Sequence, residues 1–274
     1  MNYVCLNDYR DTLIEELKRK NIIMNEGVKK YIQEYGGPFH DFLKENIEIA
    51  QKENLPICQD TGLIEFFVFL PYNVCLDQPI QNFLDLIVSQ TYLENDFRFS
   101  SVIEPIGNRK NANDNSPAIV HIIQTNDSKI EIKFLVKGGG SENLSALFMM
   151  KPSSSEDEIM DKIVSYVEEN GARGCPPLNI GVGMGGSSEK ATLLSKLALL
   201  DPFEKRNDKR IYRNMENQLL ERINKLNIGF QGLGEGITAY SVHIKEHPTH
   251  IATLPLALAF DCYISRRGVV QIEY

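Results

Sequence analysis

The sequence predicts an α+β protein in which an antiparallel or mixed sheet is surrounded by helices, with room for two lobes. Apolar residues recur at helical spacing in several segments, and the β-rich runs come in neighbouring groups. A doubly wound parallel sheet would need strands and helices in regular alternation, which is missing. We therefore expect one domain over residues 1–274, with a helical N-terminal part over about residues 1–55.

The first third of the chain predicts helices followed by one strand and one more helix. Leu13 and Leu17 have helical spacing, Gly36-Gly37-Pro38 interrupts the pattern, and Pro71 ends a run of β-forming residues. The predicted elements are two or three helices between residues 8 and 54, a strand over 63–70 and a helix over 79–94.

The segment PAIVHIIQTNDSKIEIKFLVKGGG, residues 117–140, contains two β-rich runs. The polar residues Asn126, Asp127 and Ser128 separate them, and three glycines follow the second run. This arrangement predicts an antiparallel hairpin.

The rest of the chain predicts helices and then strands. Three serines, Ser153 to Ser155, are candidate caps for a helix whose first turn is acidic. The glycines near 138–140 and 181–186 are candidate joints between lobes, and the sequence shows no internal repeat. The predicted elements are helices over 156–170, 188–200 and 205–226, and strands over 236–245, 250–264 and 268–274.

The composition is that of an ordinary globular protein, since 42% of the residues are hydrophobic and 24% are charged. A net charge of −8 argues against nucleic acid or a membrane surface as partner, because both attract basic faces. We find no apolar run long enough for a transmembrane helix and no apolar signal core at the N terminus. We therefore expect a cytoplasmic protein with a local pocket for any anionic substrate.

The glycines of GVGMGG, residues 181–186, match a dinucleotide-binding pattern. The pattern is complete if a strand precedes the glycines, a helix follows them, and Asp201 or Glu204 binds the ribose. Pro176-Pro177 and the lack of a surrounding βαβ pattern count against this interpretation. The alternatives are a tight turn that needs glycine for steric reasons, or helix N-terminal amides that approach an anion or a cluster.

The chain has five cysteines, and their odd number and wide spread along the chain argue against a disulfide framework. A cysteine is most often a small buried apolar residue, but three of them have special settings. Cys58 precedes Gln59-Asp60 in a turn, Cys175 lies between glycine and two prolines, and Cys262 ends an apolar strand. If they converge, three thiolates would fit a [4Fe–4S] cluster with one iron open to substrate, although their spacing does not establish this.

Four motifs carry a resemblance to a known family. They are PICQDTG (56–62), VKGGGSEN (136–143), GARGCPPLNIGVGMGGSSEKA (171–191) and GLGEGITAYSVHIKEHPTHIATLPLALAFDCYISRRGVV (232–270). These stretches resemble the α subunit, or N-terminal domain, of class I iron–sulfur fumarases and L-tartrate dehydratases. The resemblance runs from about residue 55 to the C terminus.

The resemblance implies a site around a [4Fe–4S] cluster that binds a small dicarboxylate at its open iron. The implied cluster ligands are Cys58, Cys175 and Cys262, the substrate-binding residues are Gln59, Arg98 and Gly139, and the catalytic residues are Asp60 and His250.

Each implied residue also has an ordinary structural explanation. Arg98 would grip a carboxylate bidentately, or it forms a surface ion pair. Asp60 would orient a base or relay a proton, or it accepts backbone amides in a turn. His250 would serve as acid, base or donor, or it is structural. For Arg266-Arg267 we expect a solvated turn rather than a substrate clamp.

The resemblance further implies a separate β subunit, because no segment follows Tyr274 to supply the remaining arginines, lysine and catalytic base. We expect an α2β2 assembly that reversibly hydrates fumarate to malate. L-tartrate dehydration is the alternative within the class. Outside the class, the alternatives are an NAD-dependent oxidoreductase and a non-catalytic cluster protein.

Overall fold

The computed structural model describes residues 2–274, and the predicted α+β class is confirmed. None of the helices in these residues has both the length and the apolar character that crossing a membrane requires. The helices are α1 (Arg10–Ile22), α2 (Glu26–Glu34), α3 (His40–Glu53), α4 (Ile80–Leu93), α5 (Gly139–Glu142), α6 (Glu156–Asn170), α7 (Ser188–Ala198) and α8 (Arg210–Asn224). The strands are β1 (Asn2–Val4), β2 (Leu63–Pro71), β3 (Val74–Leu76), β4 (Ile119–Thr125), β5 (Ile130–Lys137), β6 (Ala146–Met150), β7 (Leu178–Gly185), β8 (Ala239–His247), β9 (Leu254–Asp261) and β10 (Arg267–Ile272).

The chain forms two compact units, each with its own apolar core. The boundary between Gly138 and Gly139 coincides with one of the two candidate glycine joints, whereas residues 181–186 lie inside the second unit. The first unit consists of the chain up to Ile32, Asp41–Gly138 and Arg266–Tyr274, and the second of Gln33–His40 and Gly139–Ser265.

The first unit contains a mixed sheet in the order β10-β5-β2-β4. The predicted hairpin is wrong, because β2 lies between β4 and β5, parallel to the first and antiparallel to the second. The physical reason is burial. Residues 64–68 of β2 are all buried, which requires a central position, whereas β4 has exposed residues and occupies the edge.

The second unit contains a mixed sheet in the order β6-β9-β7-β8, with β7 in its interior. Along β7, Ile180 and Val182 join the core formed with α6 and α8, while Gly181 and Gly183 alternate with them and meet α7. A β carbon at Gly183 would lie 1.9 Å from the carbonyl oxygen of Ala191. The glycines therefore allow close helix packing from within a strand, which accounts for the pattern without a nucleotide.

The second unit also confirms the predicted cap of α6. The Ser155 hydroxyl accepts from the Glu158 amide at 3.2 Å, and the Glu158 carboxylate accepts from the Ser155 amide at 2.7 Å. This capping box satisfies two amides that would otherwise lack helical partners.

The strands of the two units are connected in the same order, although the sequence shows no internal repeat. In the first, β2 leads through α4 to its parallel neighbour β4 and then to its antiparallel neighbour β5. In the second, β7 leads through α7 and α8 to β8 and then β9 in the same way. The fourth strand of each sheet pairs with the antiparallel neighbour: β10 pairs with β5, and β6 pairs with β9. In sequence, β10 follows the other three strands of its sheet, whereas β6 precedes the other three strands of its own.

We predict that Gly183→Ala lowers the free energy of unfolding by about 3 kcal/mol, because the added methyl group overlaps the backbone of α7. Urea and thermal unfolding would measure the effect. The matched control is Gly36→Ala, where a β carbon meets no atom within 4 Å, and we expect a change within about 0.5 kcal/mol. Equal stability of the two variants would contradict the packing role of Gly183.

Candidate functional site

In the first unit, the segment that carries Cys58, Gln59 and Asp60 enters the central strand β2. Gln59 is exposed, and Cys58 and Asp60 are partly exposed. The Asp60 Oδ1 atom accepts from the Gly62 amide at 2.9 Å, so the turn predicted as its structural role is present. Its other oxygen, Oδ2, lies 3.3 Å from the position that a β carbon of Gly138 would take. A larger residue than glycine at 138 would therefore crowd the Asp60 carboxylate.

Arg98 lies in the same unit, in the segment that follows α4. Its side chain is exposed, and no ion pair engages it among residues 2–274, so the surface ion pair considered as its alternative is absent there. Its carbonyl oxygen accepts from the Thr61 hydroxyl at 2.5 Å. The structure therefore brings the Asp60 segment and the Arg98 segment together. The two residues are 38 positions apart in the sequence, so their proximity could not be predicted from it.

Arg266 differs from the sequence prediction. A solvated turn was expected, but Arg266 is only 3% exposed, and its Nη1 atom donates to Asn21 Oδ1 of α1 at 3.0 Å. Its Nη2 atom lies 4.0 Å from the same β-carbon position at Gly138 that Asp60 Oδ2 approaches. Lys137 is also buried. Arg266 and Lys137 are thus two buried basic residues, and the burial of Arg266 was not predicted because its contact with Asn21 depends on the position of α1 in this unit.

In the second unit, Cys175 is held in an uncommon backbone conformation. Its φ and ψ of 55° and 63° are left-handed, which is rare for residues other than glycine. The Cys175 carbonyl oxygen accepts from the Tyr263 amide at 3.0 Å, and the Pro176 carbonyl oxygen accepts from the Gln231 amide at 2.9 Å. Neighbouring backbone therefore fixes the Cys175 segment, and the residue is exposed.

Cys262 lies beside this segment, because Tyr263 follows it directly. Its amide donates to Asp261 Oδ1 at 3.0 Å, and Asp261 pairs with Asn179 at the start of β7. No disulfide joins any of the five cysteines, all of which lie in the described part of the chain. Two thiols thus occur on adjacent backbone at one end of the second sheet.

Glycine also leaves room beside the Cys175 sulfur. A β carbon at Gly140 would lie 4.0 Å from Cys175 Sγ and 3.4 Å from the Arg173 carbonyl oxygen. Gly140 places no side chain against the exposed Cys175, and two soft thiols on adjacent backbone suit an iron–sulfur cluster, so the residues of this unit fit that group. Cys58 has the same donor chemistry and, in its own unit, precedes the central strand as Cys175 does.

The short helix α5, which contains Gly139 and Gly140, is tied to α7 by an ion pair that the sequence did not predict. Lys196 Nζ lies 2.5 Å from Glu142 Oε2, and Lys196 is 8% exposed. Because α7 runs antiparallel to β7, this last turn of the helix is at the Cys175 end. The helix N terminus at Ser187-Ser188 is at the other end. Within this unit its amides, considered above as groups that approach an anion or a cluster, therefore lie away from Cys175.

His250 also lies at that other end. It follows β8, and its Nδ1 atom accepts from the Ala252 amide at 3.1 Å. The registers Asn179 with Asp261 and Met184 with Leu256 separate the two ends of β7 by five residues, roughly 17 Å at about 3.3 Å each. The second unit therefore does not bring His250 to Cys175 and Cys262, and its catalytic role stays a prediction.

The structure thus assembles the predicted residues in two groups. Within residues 2–274, no three His, Cys, Asp or Glu side chains form a group suited to a single metal ion. A four-iron cluster does not need three side chains around one ion, because each of its thiolate ligands binds a different iron. The first unit groups Cys58, Gln59 and Asp60 with Arg98, and the second groups Cys175 and Cys262 with Gly139 and Gly140.

Comparison with known proteins shows which family this chain belongs to. The L(+)-tartrate dehydratase subunit alpha of Escherichia coli is 27% identical over 265 residues, which cover 96% of this chain and 85% of that protein. The Shigella sonnei protein of the same name has the same identity and coverage. A Methanocaldococcus jannaschii protein, provisionally named L(+)-tartrate dehydratase subunit alpha, is 33% identical over 278 residues, or 96% of this chain and 97% of that protein. Residues 23–271 match the family described as fumarate hydratase (Fumerase), and the chain belongs to this family of hydro-lyases.

Proposed function

We propose that this chain is the α subunit of a [4Fe–4S] hydro-lyase that reversibly hydrates fumarate to malate. The observation that carries the proposal is the pair of thiols, Cys175 and Cys262, on adjacent backbone with glycine beside one sulfur. Family membership over residues 23–271 supports the reaction class. A cytoplasmic location remains a prediction from the sequence.

The proposed ligands of the cluster are Cys58, Cys175 and Cys262. When bound, the cluster would supply a Lewis acid at the iron that lacks a protein ligand, where a substrate hydroxyl can be polarised. Thiolates are the usual protein ligands of such clusters. Hydrogen bonds from the Tyr263 and Gln231 amides restrain the Cys175 segment, so little further conformational freedom is lost when the thiolate binds.

The other residues of the chain bind and orient the dicarboxylate. The exposed Arg98 guanidinium offers two parallel donors to one carboxylate, which sets the direction as well as the strength of binding. We assign Gln59 and the Gly139 amide as further donors. In dehydration, a proton leaves the carbon beside a carboxylate and the neighbouring hydroxyl leaves as water, so a double bond forms. Asp60 orients the base or relays the proton, and the base itself is assigned to the β subunit.

L(+)-tartrate is the second candidate substrate. The observation that favours it is the name of the relatives, which are called L(+)-tartrate dehydratase subunit alpha and cover nearly all of this chain. Tartrate differs from malate by one hydroxyl group, so a few polar contacts decide between the two. The same names support a separate β subunit, and we propose an α2β2 assembly.

We predict that Cys58→Ser, Cys175→Ser and Cys262→Ser each lose the cluster, because serine does not replace a thiolate as an iron ligand. Iron and sulfide analysis after anaerobic reconstitution would measure this. The matched controls are Cys5→Ser and Cys75→Ser, which should bind iron and sulfide as the wild type does. The ligand set is wrong if a control variant loses the cluster while the three variants keep it.

We further predict that the isolated, cluster-loaded chain has no measurable activity and that co-expression with a β subunit restores it, since the base is supplied by the partner. Steady-state kinetics on malate and tartrate would measure both points, and light scattering would measure the mass of the complex. We expect kcat/KM to favour malate by about tenfold or more. Full activity without the partner would contradict the partner role, and preference for tartrate would select the second candidate.

A further inference from the structure

We propose that Thr61 is a positioning residue that holds the Asp60 segment and the Arg98 segment at a set distance for one dicarboxylate. The proposal rests on the proposed function, in which Asp60 and Arg98 act on the same substrate molecule. Thr61 is fully buried and does not itself reach solvent. Its role is therefore to align other residues and not to bind substrate.

The hydroxyl group of Thr61 makes the direct link. It donates to the Arg98 carbonyl oxygen at 2.5 Å, across 37 positions of sequence. Asp60 precedes Thr61, so a single side chain connects the backbone of the proton-handling residue to that of the carboxylate-binding residue. A buried donor or acceptor that loses its partner lowers the free energy of unfolding, so this hydrogen bond favours one placement of the Asp60 segment relative to the Arg98 segment.

Tyr92 fixes Thr61 from the opposite side. Its hydroxyl donates to the Thr61 carbonyl oxygen from α4, and its ring packs edge-on against Phe97 at 5.4 Å between centroids, next to Arg98. Burial raises the pKa of the Tyr92 hydroxyl well above its usual range, so the group stays a donor. Tyr92 thus supports both connected segments.

Asn115 supplies a second, parallel link between the same two segments. Its side-chain amide donates to the Gly62 carbonyl oxygen at 3.0 Å, and its Oδ1 atom accepts from the amides of Ser100 and Ser101 at 2.7 and 3.2 Å. Asn115 is fully buried. Two buried side chains therefore cross-link residues 60–62 with residues 98–101.

The substrate gives this link its importance. A four-carbon dicarboxylate is short, so Arg98 can hold a carboxylate productively only if its distance from Asp60 is kept within narrow limits. Loss of the restraint would weaken the hold of Arg98 on the carboxylate in the ground state and the transition state alike, which raises KM more than it lowers kcat. Arg98 has an exposed side chain on an irregular segment, and its backbone therefore needs an external restraint.

The test compares Thr61→Val, which keeps the shape of the side chain but removes the hydroxyl, with Thr61→Ser, which keeps the hydroxyl. In the αβ complex we expect Thr61→Val to raise KM for the dicarboxylate about tenfold with a smaller change in kcat, and Thr61→Ser to stay within about threefold of the wild type. Hydrogen–deuterium exchange of residues 97–102 should increase in Thr61→Val and not in Thr61→Ser.

Thr91→Val is the control for a purely structural effect. Thr91 is also fully buried, and its hydroxyl donates to the Ile87 carbonyl oxygen at 2.7 Å inside α4. We expect Thr91→Val to lower the melting temperature without changing KM or the exchange of residues 97–102. If Thr61→Val behaves in the same way as Thr91→Val, the positioning role is overturned.

The exchange measurement also separates this proposal from the proposed function. If the wild-type complex converts neither malate nor tartrate, the proposed function fails, and exchange in the Thr61 variants still decides whether Thr61 restrains the Arg98 segment. Unchanged exchange of residues 97–102 in Thr61→Val overturns the restraint whatever the activity. Increased exchange together with a raised KM supports both proposals.

Discussion

The constraint on which both units depend is the burial of one central strand on both faces. In the first unit this strand is β2, and in the second it is β7, whose residues are all buried. A strand buried on both faces must be flanked by other strands and covered by helices, which sets the strand order and the helix positions. The segments that carry Cys58 and Cys175 each enter such a strand, so a buried central strand anchors each of them.

Polar groups near these entry points are buried together with their partners. Thr61, Asn115 and Arg266 are each nearly or fully inaccessible, and each has a hydrogen bond to a distant part of the chain. Buried polar groups without partners would cost stability, so these contacts favour a single arrangement. In the second unit, the Lys196–Glu142 ion pair similarly ties α5 to α7. These contacts therefore stabilise the segments that carry the candidate site residues.

Local patterns predicted the elements well and their pairing poorly. The serine cap of α6 and the apolar spacing of α1 depend on residues within a few positions of each other, and both predictions are confirmed. The predicted hairpin failed because β4 and β5 are neighbours in sequence but not in the sheet. Adjacency along the chain carried no information about the insertion of β2, which follows from its burial.

By itself, the sequence determined the α+β class, most of the longer helices and strands, the family motifs and the residue types of the candidate site, because these follow from spacing and side-chain chemistry. It did not predict the short elements β1, β3, α5 and β6. Only the tertiary structure decided that Cys175 and Cys262 lie on adjacent backbone, that His250 and the start of α7 lie at the other end of their sheet, and that Thr61 contacts Arg98. It also decided that Arg266 is buried. The physical reason is that each of these features joins residues far apart in the chain, and their contacts exist only once the central strands are covered on both faces.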